Sequence, residues 1–389
     1  MKSKEARMDW LMFAIAAVLA VFGTMMVYSA SAMIAYRETA GESQFTYFYK
    51  QAAFTAIGLV LMYVVSRIDH RLYNNRIVVG LVLLVTVGCL IAVFGFNEIN
   101  GAQRWIRFGS FSLQPSEMAK IALPLFLAYY LANREGKMSD IVGTVLPCCA
   151  VAAFLMGLVF FEPDLGTALV LAAIFAAVFF AAGASMVHVG ALAAIAVPIV
   201  GGALIFAPWR MRRLAAFVDP CNPENAADAG YQVCQSLYAI GSGGILGEGF
   251  AKGQQKLFYL PYPYSDFIFS VVGEELGLAG TLAVVVAFAF LLWRGARAAM
   301  NAPDRFGTLL GIGIITGITV QALFNISVVT SLLPAKGIPL PFISYGGSSV
   351  MVTLAAVGIL LNISKNRSSA GSEKKSAAVH RRKGKAGLR

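Results

Sequence analysis

Ten stretches of this 389-residue chain are nearly free of charge, and most are long enough to cross a bilayer as a helix. A spanning helix takes about 20 apolar residues, because each residue advances it only ~1.5 Å through ~30 Å of hydrocarbon. The runs fall at 10–33, 45–65, 77–96, 118–131, 141–161, 165–182, 187–207, 267–293, 306–332 and 348–363. Charged residues are 13% of the chain and mean hydropathy is +0.71; a soluble domain carries roughly 25% charge. The expected fold is therefore all-α and polytopic, with ten transmembrane helices and one large extracytoplasmic loop, 208–265, between the seventh and eighth. Residues 1–9 precede this membrane domain of 10–363, and 364–389 form a basic tail. The fourth run, interrupted by Lys120 and Pro124, departs most from the pattern.

Orientation follows from lysine and arginine, which concentrate in short cytoplasmic loops. Lys2, Lys4, Arg7, Arg67, Arg71, Arg76, Arg134, Lys137, Arg294, Arg297, Arg305 and the basic tail fall on one side. Short loops of the other side hold only Arg37, Lys50, Arg104, Arg107 and Lys336. Both termini are thus expected in the cytoplasm and the large loop outside. The net charge of +11 reflects this bias and the tail, so no nucleic-acid partner is expected. The N-terminus imitates a signal peptide, ending in Ala30-Ser-Ala32, but its apolar run is too long and reads as an uncleaved first span. Cys221 and Cys234 share the outer loop, where a disulfide is permitted, although sequence separation says nothing of their geometry.

Chemistry-bearing residues collect on the outer side. Pro261 and Pro263 stiffen the end of the large loop, so the eighth helix is expected to start after Pro263 with Ser265 at its N-cap. That leaves Asp266 at the lip of an apolar helix, facing water. It either caps the helix, worth under about 1 kcal/mol, or acts as a reactive carboxylate. In a continuous helix Glu274 would lie about 12 Å from Asp266 along the axis, too far for a carboxylate dyad.

Glu117 and Lys120, at i and i+3, share a face of the fourth span and can pair. Ionisable groups inside a span mark a polar path or ligand site, or else a self-satisfied structural pair. Glu162 and Asp164 flank Pro163 in the turn before the sixth span, which Asp164 can also cap. Arg104 and Arg107 alternate with Trp105 and Phe108, as in a segment lying at headgroup level. Arg210, Arg212, Arg213, Lys252 and Lys256 bring positive charge to a side otherwise poor in it, which suits an anionic lipid headgroup. Glu117, Glu162, Asp164 and Asp266, on the outer face beside Arg104, Arg107 and Lys120, could bind a divalent ion and a phosphate together. The glycines of 241–249 lack the Lys-Ser/Thr of a phosphate-binding loop and read as turns for tight packing. Gly346-Gly-Ser-Ser349 opens the tenth span, where free N–H groups could hold an anion. His70 reads as a solvated loop residue and His188 as structural.

Several of these stretches recur in one order along the spans: Tyr28-Ser-Ala-Ser31, Arg104-Trp105, Gln114-Pro-Ser-Glu-Met-Ala-Lys120, Glu162-Pro-Asp-Leu-Gly166, Gly230-Tyr-Gln232 and Gln235-Ser236. They continue with Gln255-Lys-Leu257, Leu260-Pro261, Asp266-Phe-Ile-Phe269, Gly273-Glu-Glu-Leu-Gly277 and Gly337-Ile-Pro-Leu-Pro-Phe-Ile-Ser-Tyr-Gly-Gly-Ser-Ser349. In this the chain resembles the SEDS family (shape, elongation, division and sporulation), the FtsW and RodA glycosyltransferases of bacterial wall synthesis. The resemblance covers all ten spans and leaves out only the termini.

The resemblance implies an inverting peptidoglycan glycosyltransferase. Its substrate would be lipid II, a disaccharide-peptide on a polyprenyl pyrophosphate, polymerised at the outer face of the bacterial inner membrane. It implies Asp266 as the catalytic carboxylate, with substrate contacts at Arg104, Glu117, Lys120, Asp164, Arg213, Lys256, Ser344, Gly346, Gly347 and Ser348. It also implies a divalent cation, magnesium or manganese, and as partners a class B penicillin-binding transpeptidase and divisome proteins. Where the family carries an acidic residue and a His-Thr pair before the aspartate, this chain has Tyr262 and Tyr264-Ser265, leaving Asp266 to act alone or through water. Lys336 before Gly337 favours the division member, FtsW, over the elongation member, RodA. A lipid II flippase would need charges lining a through-path, and the inner halves of the spans are nearly charge-free. A scaffold for partner synthases would leave Asp266 dispensable.

Overall fold

The computed structural model describes residues 8–98, 102–109, 111–185, 187, 190, 194, 198, 201–202 and 208–365. The expected seventh span (187–207), with His188, and the tail beyond 365 lie outside the described residues, apart from those isolated positions. The first helices are α1 (Trp10–Glu38), α2 (Thr46–Arg67) and α3 (Arg76–Ala92). A hairpin of β1 (Ile106–Phe108) and β2 (Phe111–Leu113) leads into α4 (Pro115–Ala132), α5 (Leu146–Phe161) and α6 (Leu165–Ala181). The large loop contains α7 (Pro208–Val218), a single turn α8 (Pro223–Ala226) and α9 (Tyr231–Ser242). Three long helices close the chain: α10 (Ile268–Met300), α11 (Arg305–Val329) and α12 (Gly347–Lys365). Among the described residues, seven helices are long and apolar enough to cross a membrane, and α6 is a shorter apolar helix.

The helices begin where the side chains allow it. Asp9 accepts from the Met12 amide at the start of α1 (3.2 Å), Asp164 from Thr167 at α6 (3.0 Å), and Asp304 from Gly307 at α11 (2.7 Å). Pro115 takes the first position of α4, where its missing N–H costs nothing. The bundle buries polar groups and turns apolar ones outward, the arrangement a lipid solvent selects. Val18, Val60, Leu84 and Phe180 are exposed, whereas Gln51, Thr55, Ser116, Gln321 and Asn325 are buried. Buried side-chain hydrogen bonds, such as Thr24 with Thr55 at 3.0 Å, then join helices that gain no hydrophobic energy from meeting in hydrocarbon.

The structure corrects the sequence reading in three places. The helix after Asp266 starts at Ile268, with Phe267 at its N-cap and no side-chain cap, so neither Ser265 nor Asp266 caps it. Nor is it continuous, because Gly277 sits at φ 65°, ψ −161° and splits it into 268–276 and 278–300. The glycines of 241–249 do permit tight packing, and the amides of Leu278 and Ala279 donate to the carbonyls of Gly244 and Ile245. The segment after Arg104 forms a β-hairpin that pairs Arg107 with Ser112. His70 is fully buried, its ring nitrogens lying 3.0 Å from Asn362 Oδ1 and 3.2 Å from Asp304 Oδ2. It joins α12 to the start of α11, a long-range contact that its loop position in the sequence could not announce. The two outer-loop cysteines are bonded, Cys221 to Cys234, with Cα atoms 5.1 Å apart.

Candidate active site

Asp266 lies in a cleft of about 390 Å³ at one end of the bundle. The β-hairpin supplies Arg104, Trp105, Arg107 and Ser112 to its lining, α7 supplies Arg213, and α9 supplies Gln232. The loop from Lys336 to Gly347 completes the wall. Two amides on α11, one helical turn apart, hold this loop and the Asp266 segment together. Asn325 Nδ2 donates to the carbonyls of both Asp266 and Ile338 (2.7 Å each), and Gln321 Nε2 donates to Pro339 O (2.9 Å). Ser344 Oγ donates to Ser265 O (2.5 Å), and the Tyr345 amide donates to Tyr264 O (2.8 Å). Asp266 is thus fixed by its backbone, while its carboxylate accepts no hydrogen bond from the described residues.

The electrostatics around Asp266 suit a base. It is half-buried, and burial pushes its carboxyl from 3.8 up to about 6; Arg104 and Arg213 pull it down, and Asp164 pushes it up. Arg213 is itself lowered, first by burial and then by the like charge of Arg104, with Asp266 opposing. Glu162, fully buried in the turn between α5 and α6, has both carboxylate oxygens without a hydrogen-bond partner. Burial drives its carboxyl to about 8, Asp164 adding to the rise and Arg104 opposing it, so Glu162 is neutral at neutral pH. Arg104 spends its donors instead on the Glu162 carbonyl (3.2 Å) and the Pro163 carbonyl.

The remaining site residues divide into those that line the cleft and those that support it. Gly346 and Gly347 line it beside Ser349, at the start of α12. Glu117 and Lys120 pair at 2.8 Å beneath it, with Ser349 Oγ donating to Glu117 (2.9 Å) and Lys120 donating to Gln321. Ser344 and Ser348 turn inward, Ser348 Oγ accepting from the Gln114 amide at 3.2 Å. Lys256 is placed elsewhere. Its ammonium is buried, 2.6 Å from Glu275 and 2.8 Å from Ser29, where it ties the large loop to α1 rather than facing Asp266. Asp164 caps α6 through Thr167 and receives Gln114 Nε2 at 3.4 Å, yet it also lines a second cavity next to the cleft.

Among the described residues no group of three or more His, Cys, Asp or Glu gathers around a common point. Asn325 and Gln321 went unrecognised in the sequence, although amides at i and i+4 inside an apolar span are the signal for them.

Known proteins resemble the chain throughout its length. A family described as "Cell cycle protein", comprising FtsW, RodA and SpoVE, matches residues 9–369. A probable peptidoglycan glycosyltransferase FtsW of Trichlorobacter lovleyi is 40% identical over 363 residues, covering 92% of this chain and 93% of that protein. Stage V sporulation protein E of Bacillus subtilis is 37% identical over 366 residues, covering 94% and 99%. In three dimensions the chain is similar to a chain of a peptidoglycan synthase complex that coordinates polymerization and crosslinking, with TM-score 0.76 and 26% identity. That match covers 92% of this chain and 98% of the other. It is also similar to the rod shape determining protein RodA of Thermus thermophilus, with TM-score 0.64, 26% identity and coverage of 92% and 97%.

Proposed function

The chain belongs to the FtsW, RodA and SpoVE family, and from the chemistry of its outer cleft we propose how it works as a peptidoglycan glycosyltransferase. The observation that carries the mechanism is Asp266: a carboxylate held by its backbone, free of hydrogen bonds from the described residues, in a cleft rich in arginine. The substrate is lipid II. The acceptor sugar's hydroxyl gives its proton to Asp266 as its oxygen attacks the donor's anomeric carbon. The bond from that carbon to the diphosphate oxygen breaks, and the electron pair leaves with the lipid diphosphate. Attack from the face opposite the leaving group inverts the anomeric centre. Arg104 and Arg213 offset the negative charge that develops on the leaving group.

A divalent cation would be held by Asp164 together with substrate oxygens, and it would supply further charge stabilisation for the diphosphate. Ten spans, with the 187–207 run as the seventh, put both termini in the cytoplasm and the cleft outside, where lipid II is consumed. A class B penicillin-binding transpeptidase is the expected partner, in line with the synthase complex that the chain resembles. The FtsW relatives favour a role in division. The deciding experiment offers lipid II to the purified protein, with and without its transpeptidase partner, and follows glycan chains on a gel. Glycan from the wild type and none from Asp266→Asn supports the mechanism. Equal synthesis by both removes Asp266 from it.

A further inference from the structure

Next to the cleft, and sharing a wall with it, is a smaller cavity of about 120 Å³. The shared wall is Arg104, Arg213, Lys336 and Gly337. We propose that this side cavity is the seat of the substrate's diphosphate, separate from the cleft that holds its sugars, and that Lys336 is the third cation of that seat. The proposal rests on the lipid II reading above and locates one part of that substrate.

Three features point to a lipid-linked diphosphate. First, three basic side chains from three elements meet at one small cavity, and two of them, Arg104 and Arg213, lie close enough to repel each other. Holding like charges together costs free energy that an anion recovers. Second, the first turn of α6 opens onto the same cavity through Leu165 and Gly166. The Asp164 carboxylate takes up the Thr167 amide, and the earlier amides of that turn have no partner within the helix. Gly166 also packs directly against Ile338, which holds the turn beside the Lys336 loop. Third, the same lining includes apolar residues, Leu165, Leu214, Pro334 and Ala335, and Leu214 is exposed. A cavity lined by both cations and apolar side chains fits a diphosphate bearing a hydrocarbon chain better than a free ion.

One opposing charge is Asp164, which lines the cavity but is engaged in capping α6. Glu162, buried and neutral beside Arg104, subtracts nothing. Asp266, whose Oδ2 lies against Gly337 of the shared wall, is a second opposing charge, so Lys336, Arg104 and Arg213 against Asp164 and Asp266 leave a net charge of about +1 at the seat. By contrast, the glycine-rich start of α12 that the sequence offered as an anion site brings Gly346, Gly347 and Ser349, and no cation, to the cleft.

The test is binding to the purified full-length protein in detergent, with magnesium held constant. Inorganic pyrophosphate and a polyprenyl diphosphate are titrated separately. Lys336→Ala is expected to weaken both by about 10- to 100-fold, the range for losing one hydrogen bond to a charged group. Lys336→Arg should restore most of the loss. The polyprenyl diphosphate should bind more tightly than pyrophosphate, since only it uses the apolar side chains. Arg107→Ala, which alters the cleft alone, should leave pyrophosphate binding within about 2-fold. Unchanged binding in Lys336→Ala, or a loss confined to Arg107→Ala, would overturn the assignment. Because binding is read without turnover, a wild type that binds the diphosphate but makes no glycan would count against the glycosyltransferase reading and not against the seat.

Discussion

Gly337 lies directly against the Asp266 carboxylate: a Cβ on Gly337 would stand 2.8 Å from Asp266 Oδ2. Gly337 does not adopt a positive φ, so the missing side chain serves the neighbour and not the backbone. The carboxylate occupies the space that any other residue would take, at the wall shared by the cleft and the side cavity.

Gly337→Ala should therefore leave the fold intact and displace the base. A shift of about 1 Å in a reacting group can cost about 10²-fold in rate. Glycan synthesis is expected to fall by about that factor, with thermal unfolding in detergent unchanged. Wild-type turnover in Gly337→Ala would mean that Asp266 is not held where the contact suggests.

The ionisation of Asp266 sets a pH dependence. A carboxyl near 6 is ionised above that pH and protonated below it. As a base it must be ionised, so kcat/KM should be level above about pH 7 and fall about tenfold per unit below about pH 6. Asp266→Asn should be lower by about 10²- to 10⁴-fold above about pH 7 and should lack the acid limb. Asp266→Glu, displaced by one methylene, should recover only part of that. A wild-type profile flat from pH 5 to 8 would argue against a carboxylate base.

Lys256 and Glu275 should behave as a structural pair. Both are buried, and Glu275 also accepts from Ser29 Oγ (2.6 Å) and the Ala251 amide (3.0 Å). Lys256→Met leaves that carboxylate uncompensated, a loss of about 3 to 5 kcal/mol. The measurement is thermal unfolding in detergent. An unchanged transition would return Lys256 to the substrate contacts that the sequence suggested.

Topology can be read with single added cysteines. Asp228 and Ser139 are both exposed, the first in the large loop and the second between α4 and α5. In intact spheroplasts an impermeant thiol reagent should label a cysteine at Asp228 and not one at Ser139. The reverse pattern would put Asp266 on the cytoplasmic side, away from its substrate.

Much of the molecule was written in local sequence. Spans are legible because hydrocarbon demands an unbroken apolar run, a one-dimensional property that needs no knowledge of neighbours. The Glu117–Lys120 pair was legible for the same reason, its partners lying one helical turn apart. So was the capping role of Asp164. Asp266 stood out as a lone carboxylate at the edge of an apolar run, but whether it capped a helix was not decidable there. Its freedom depends on how its segment is held, by Asn325 on the Asp266 carbonyl and Ser344 on the Ser265 carbonyl, bonds that span 59 and 79 residues of sequence. Lys256 and Glu275 show the opposite failure. They are 19 residues apart and meet because the loop carrying Lys256 docks on the helix, the Gln254 and Gln255 amides donating to Glu274. His70 looked solvated for want of any local sign of Asn362, 292 residues on. Periodicity and hydropathy record each residue's relation to the solvent around its own segment. Which charges are paired, which are left free, and which share a wall are decided by contacts between distant segments, and the tertiary structure alone brings those together.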